Sequence, residues 1–369
     1  MEERVASADP KILDLPYDAD PDPDEVVRAA MEWHFHPETG SRYWLERART
    51  LDFDPRADVR SHADLSLFPQ VANELREVPV ADLVPRGYGP RPDIVGIFES
   101  GGTTGAPKRV VCPADWLEKL VDWSNANLDV HGFPRGVDWL GITPSGPHIV
   151  GEIFRRSAAT HGRYGFQVDL DPRWVKRLVA QGGGSQADAY AEHVIDQAAH
   201  ILRTQDIGVM TVTPPLLERI ARRDDLVDLI NAKVKAIRWG GTQMDPDTAA
   251  LYRTEIFPDA ILYGHYGSTM ILGIAGQRHG SAPGESCVFD TFSPYITFEV
   301  VRPGGGPVAY GERGQVVMHH VSKALLLPNN LERDTAVRVA APEGTRGDSA
   351  ADIAPVARFD DEDVIEGVY

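Results

Sequence analysis

Residues 93–108 read DIVGIFES-GGTTGAPK, an apolar run that passes directly into a loop with three glycines and ends on Lys108. The first half has the length and β-branched content of a buried strand. In the second half, Gly101, Gly102 and Gly105 let the backbone come close to a ligand and turn its N–H groups toward an anion. Ser100, Thr103 and Thr104 add hydroxyl donors, and Lys108 adds a positive charge. The segment therefore reads as a phosphate cradle. A P-loop needs its lysine directly after the last glycine, and Ala106 and Pro107 intervene here. The alternative for a bare Gly/Thr pattern is a flexible surface linker. Its position after an apolar strand and its ending in Lys108 favour the cradle.

Outward from this point the chain alternates. PADWLEKLVDWSNANL (113–128) has helical periodicity with Pro113 suited to a first turn, and DWLGITPSGPH (138–148) is a strand running into a loop. The segments 194–205, 207–215, 216–230, 235–241, 245–257 and 260–268 continue the exchange of helix and strand. Such alternation predicts an α/β fold with a mainly parallel sheet covered by helices on both faces, and ligands placed where strands end in loops. After about Gly280 the helical pattern stops. YITFEVVRP (295–303), GQVVMHHVS (314–322) and TAVRVAAP (335–342) predict a small antiparallel, barrel-like subdomain. The expected organisation is an extended acidic arm over 1–24, where PYDADPDPDE is rich in Pro and Asp, an α/β core over 25–280, and a β-rich part over 281–369.

Composition narrows the function classes. The 369 residues are 42% hydrophobic and 25% charged, as in ordinary globular proteins, with a formal charge of −18. That charge repels phosphate backbones and anionic lipid, so neither nucleic acid nor a membrane is an expected partner. Two cysteines, Cys112 and Cys287, cannot make a disulfide framework or a cysteine-rich zinc site, and a reducing cytoplasm is the expected location. His34, His36, His319 and His320 show no set of carboxylates at metal-ligand spacing and read as structural.

On these residues the chain resembles the adenylate-forming superfamily of acyl-CoA synthetases, aryl-acid ligases and peptide-synthetase adenylation domains. The Ser100–Lys108 loop is similar to that superfamily's phosphate-binding signature, and three further segments follow in the family's order. Gly240-Gly241 in KAIRWGGTQMD resembles the turn whose backbone lies against adenine. Tyr266-Gly267-Ser268-Thr269-Met270 resembles the Tyr-Gly-x-Thr-Glu motif, in which the tyrosine flanks adenine and the threonine contacts the α-phosphate. Gly311-Glu312-Arg313-Gly314-Gln315 followed by Glu332-Arg333-Asp334 resembles the block whose aspartate binds the ribose hydroxyls. The likeness covers the chain from about residue 33 and is nearest to phenylacetate-CoA ligase-like proteins.

The resemblance implies attack of a substrate carboxylate on the α-phosphorus of ATP, with Mg²⁺ as cofactor and pyrophosphate leaving. Lys108 and Thr269 would be catalytic. It places the acid against Ser145, His148 and Gly151 in TPSGPHIVG (143–151), with Phe154 and His265, and these side chains suit an aromatic ring with polar substituents. The acyl group would pass to an amine, hydroxyl or thiol, carried by a second small molecule, CoA or a carrier protein. Two departures stand out. Met270 occupies the place of a magnesium-holding glutamate, and a thioether cannot replace a hard oxygen ligand, so the metal ligands are open. The chain reaches Tyr369 soon after Asp334, and the family's mobile C-terminal domain with its catalytic lysine is expected to be absent. In these departures the chain is also similar to natural-product enzymes of actinobacteria that activate aminobenzoates or hydroxybenzoates such as 3-hydroxyanthranilate. The other readings are a full aryl-CoA ligase and a non-catalytic nucleotide-binding relative.

Overall fold

The computed structural model describes residues 9–100, 106–280 and 284–356, with the two-residue strands Arg358–Phe359 and Glu362–Asp363 beyond them. Helix Pro23–Phe35 starts where the sequence supplies both an acceptor and a proline. Asp22 accepts from the Glu25 N–H at 2.9 Å, and Pro23 takes the first helical position. Trp33 donates its indole N–H to the Lys323 carbonyl at 3.0 Å, and Trp44 donates to that of Leu326 at 3.1 Å. The N-terminal helices are thereby fastened to the β-rich end of the chain. The expected solvated arm is corrected from residue 10 onward. Pro10–Asp14 forms a 3₁₀ turn whose Leu13 is only 2% exposed, and Lys119 donates to the Leu13 carbonyl at 2.9 Å. One apolar anchor outweighs the acidic surroundings.

Strand β1 (Ile94–Ser100) pairs antiparallel with β2 (Lys108–Pro113), Phe98 opposite Val110 and Ser100 opposite Lys108. This hairpin stands apart from the main sheet. The apolar run 94–100, read as a buried strand, thus pairs with the strand that follows it in sequence and takes no place in the parallel sheet. Pro113 closes β2 and caps helix Ala114–Val130 from outside.

The main sheet begins with β3 (Asp138–Ile142), β4 (Gly165–Val168), β5 (Ile207–Val212), β6 (Ala236–Trp239) and β7 (Ile261–Ser268). They lie in the order β4-β3-β5-β6-β7 and are all parallel. Alternation along β3 sends neighbouring side chains to opposite faces. Trp139 packs in one cluster with Phe154, Val209, Ala236 and Tyr263, while Leu140 joins Val194, Ala198 and Met210 in the other.

β7 changes the sheet's character midway. Ile261–Gly264 pairs parallel with β6, whereas His265–Ser268 pairs antiparallel with β8 (Gly273–Gln277). Antiparallel pairing continues through β9 (Val288–Asp290), then β13 (Asp348–Pro355), β12 (Leu326–Ala340), β11 (Arg313–Val321) and β10 (Ile296–Val301). One further pairing, Phe298 with Asp348, brings β10 back toward β13. The expected antiparallel strands after residue 280 are present, and among the described residues they join the parallel ones in one continuous eleven-stranded sheet, with one apolar cluster running from Leu13 to Ile353. No helix among the described residues is long and apolar enough to cross a membrane.

Candidate active site

β3, β5 and β6 all run out at the same edge of the sheet, and the loops that follow surround a cavity of about 320 Å³. Ligand sites in α/β sheets collect at such edges because the diverging loops leave a crevice there. Of the residues singled out in the sequence, Ser100, His148, Gly240, Gly241, His265, Tyr266, Gly267, Ser268, Thr269 and Asp334 line this cavity. Gly101, Gly102, Thr103, Thr104 and Gly105 lie outside the described residues. They connect β1 to β2, and Lys108 stands at the base of that connection opposite Ser100.

The glycines clear the cavity floor. A Cβ on Gly240 would lie 2.5 Å from the His265 ring, and one on Gly267 would lie 2.3 Å from the Gly273 carbonyl oxygen. Gly241 has φ of +87°, where an L side chain is strained. The switch in pairing along β7 sets Tyr266 beside β12, and the Tyr266 hydroxyl donates to Asp334 Oδ2 at 2.8 Å. Burial lifts Asp334 above the ordinary aspartate value, against the pull of Tyr266, Arg333 and Lys176. Glu332, two residues earlier on the same strand, is lifted by burial and by Asp334's charge, and accepts from the Asn330 amide at 2.8 Å.

Several expected acid-binding residues are elsewhere. Phe154 is 1% exposed and belongs to the core, stacked over the backbone at Gly141 and Gly165. Helical periodicity marks a buried face without saying whether core or cavity covers it, which explains the miss. Gly151 lets helix Ile149–Thr160 lie against Pro144 and Ser145, since a Cβ there would come within 2.6 Å of the Pro144 carbonyl oxygen. Ser145 is half-buried, donates to Asp169 and does not line the cavity. Ser145→Ala is accordingly expected to change unfolding free energy by less than about 0.5 kcal/mol and to leave acid affinity intact. A urea melt and an equilibrium titration check both; a large loss of acid affinity would return Ser145 to the site.

Other cavity residues carried no sequence signal. Glu99 is bridged by Arg109 at 3.0 Å and Arg173 at 2.8 Å. Burial opposes its charge, but those two hydrogen bonds hold its carboxyl below the ordinary glutamate value. Its backbone N–H donates to the Pro147 carbonyl at 2.8 Å, tying the hairpin to the loop before His148. Lys176 also lines the wall, beside Trp239 and Arg333 of the two motif segments quoted above. Arg173 and Lys176 follow a legible Asp-Pro helix start, yet nothing in the spacing shows that their shared face meets a cavity.

Met270 is 3% exposed and packs in the core, so its position offers no oxygen to magnesium. Glu332 and Asp334 are pushed toward neutrality and already accept hydrogen bonds. These residues do not make a protein-built magnesium site. Among the described residues, His62, Glu299 and His319 do gather at metal-ligand range, with Glu299 Oε1 3.8 Å from His62 Nδ1 and 3.7 Å from His319 Nε2. His319, read in the sequence as structural for want of a carboxylate set at metal-ligand spacing, thus has one carboxylate, Glu299, at such range. The Asn329 N–H donates to His319 Nδ1 at 3.0 Å, however, which leaves the proton of the neutral ring on Nε2. Nε2 then turns its N–H toward Glu299 without reaching hydrogen-bond distance, and His62 Nε2, 2.6 Å from Thr297 Oγ1, ties the 3₁₀ turn His62–Leu67 to β10.

No family model matches the sequence, and no curated protein matches it. Solved structures do match. The open conformation of 2-hydroxyisobutyryl-CoA ligase in complex with 2-HIB-AMP and CoA superposes with a TM-score of 0.61 at 13% identity, over 90% of this chain and 68% of that one. The same ligase in the postadenylation state with 2-HIB-AMP gives 0.56 at 14% identity, over 89% and 65%, and with R3-HIB-AMP gives 0.58 at 13%, over 94% and 70%. The chain therefore spans about two thirds of that ligase's length, and at this identity what the two share is the fold.

Proposed function

We propose that the cavity binds ATP and a small carboxylic acid and joins them as an acyl-adenylate, with pyrophosphate leaving. The observation that carries this reading is the Tyr266–Asp334 pair at the edge of a glycine-cleared floor. An aromatic ring beside a carboxylate offers adenine a flat apolar face and both ribose hydroxyls an acceptor. The fold shared with a ligase seen with 2-HIB-AMP supports it. In this reading Thr269 lies at the α-phosphate, and the hairpin loop ending in Lys108 holds the remaining phosphates. In-line transfer at phosphorus needs alignment and charge neutralisation more than a protein nucleophile. Magnesium would neutralise phosphate charge, carried on phosphate and water oxygens.

The acid would lie toward His148, Ile149, Ile153, Val212 and Trp239, a wall that suits an amino- or hydroxybenzoate, with 3-hydroxyanthranilate as one candidate. Incubation with ATP, Mg²⁺ and such an acid is expected to give AMP and pyrophosphate without CoA. Mass spectrometry should find the acyl group hydrolysed or passed to an amine or hydroxyl. AMP release that required CoA, with the acyl group wholly recovered as thioester, would replace this reading with an aryl-CoA ligase. Met270 in place of a metal-binding carboxylate favours a second reading, nucleotide binding without chemistry; tight AMP binding with no acid-dependent turnover would select it.

A further inference from the structure

Helix Pro172–Ala180 begins at Asp171, whose carboxylate accepts from the backbone N–H groups of Arg173 and Trp174. Arg173 and Lys176, three residues apart, share one face of this helix, and both line the cavity. Arg173 is engaged with Glu99. Lys176 is 8% exposed, and the charges acting on it come from Asp334 and Arg333 on β12. His148, in the loop that precedes helix Ile149–Thr160, lies close enough to feel both Arg173 and Lys176. Asp334 is in turn shared among Tyr266, Arg333 and Lys176.

An ammonium drawn out of water keeps its charge only against anions close by. We infer that Lys176 holds the nucleotide phosphate that is bonded to the ribose, gripping its anionic oxygen on the side where Asp334 takes the ribose hydroxyls. This rests on the ATP reading of the cavity. It adds a phosphate contact from inside the α/β half, separate from the loop that ends in Lys108. Burial and the Arg333 charge push Lys176 down to about 8. The group is thus charged at neutral pH and loses its proton as pH rises through 8, while the phosphate stays dianionic above about pH 6.

The test compares AMP with adenosine, which differ only by that phosphate, in calorimetric titrations of the full chain. Wild-type protein is expected to prefer AMP by about tenfold at pH 7, and the preference should fade between pH 7 and 9. Lys176→Met should cut the preference several-fold, to what the Thr269 contact alone supplies, with adenosine affinity unchanged, and Lys176→Arg should keep the full preference across that pH range. An undiminished preference in Lys176→Met overturns the inference alone. Wild-type protein that binds neither compound overturns the nucleotide reading and this inference with it. If Lys176→Met fails to fold, the pH comparison between wild type and Lys176→Arg decides, and identical profiles count against Lys176.

Discussion

Asparagine in place of Asp334 is expected to weaken ATP and AMP binding together by roughly thirty-fold, about 2 kcal/mol, without lowering the stability of the fold. A carboxylate accepts from both ribose hydroxyls at once, whereas an amide presents one oxygen and turns a donor toward the other hydroxyl. Stability follows a different logic. Burial lifts Asp334 above its ordinary value, so the folded chain takes up that proton more readily than the unfolded chain. Its contribution to stability is greatest at low pH and falls as pH rises through the lifted value. Once ionised, the buried group is a burden that asparagine removes, and the amide oxygen can still accept from Tyr266. Calorimetry with AMP and urea melts at pH 7 measure the two halves. A variant that bound AMP normally would move the ribose away from Asp334, and one that lost stability would show that the buried carboxylate supports the fold instead of burdening it.

The second large effect is at Gly267. It faces Ile274 across the β7–β8 pair, and an added Cβ would lie 2.3 Å from the Gly273 carbonyl oxygen and 2.8 Å from Ile274 Cα. Those are backbone atoms of a paired strand and cannot swing aside as a side chain would. Gly267→Ala is expected to cost about 3 kcal/mol of unfolding free energy. It should abolish nucleotide binding as well, because Tyr266 and Ser268 are displaced with the strand. Gly146→Ala is the control, since its Cβ would meet nothing nearer than His148 Cδ2 at 4.0 Å. Equal urea midpoints for the two variants would show that the β7–β8 pair can open at no cost.

The parallel half of the fold was legible because buried strands and amphipathic helices differ in length and period, and residues 138–268 keep that contrast throughout. The hairpin β1–β2 was not, since an apolar strand looks the same whether its partner is the next strand or a distant one. The barrier near residue 280 was drawn from a change in local pattern, but sheet continuity depends on hydrogen bonds between β9 and β13, which are far apart in sequence. At the cavity, motif order brought Gly240, Tyr266 and Asp334 to attention, and they do line one space. Lys176 and Glu99 went unnoticed because a buried charge and an exposed one have the same local signature. Phe154 was misplaced for the converse reason: core and cavity make the same demand on an apolar helix face.

Acid-dependent exchange of labelled pyrophosphate into ATP bears most directly on the central claim, because it reports reversible adenylate formation without requiring any acceptor. With Mg²⁺, ATP and a panel of benzoates, wild-type protein should exchange label in the absence of CoA with at least one amino- or hydroxybenzoate, and Asp334→Asn should lose that exchange at low ATP. Wild-type protein that binds AMP yet exchanges no label with any carboxylic acid would contradict the account and leave a nucleotide-binding protein without the chemistry.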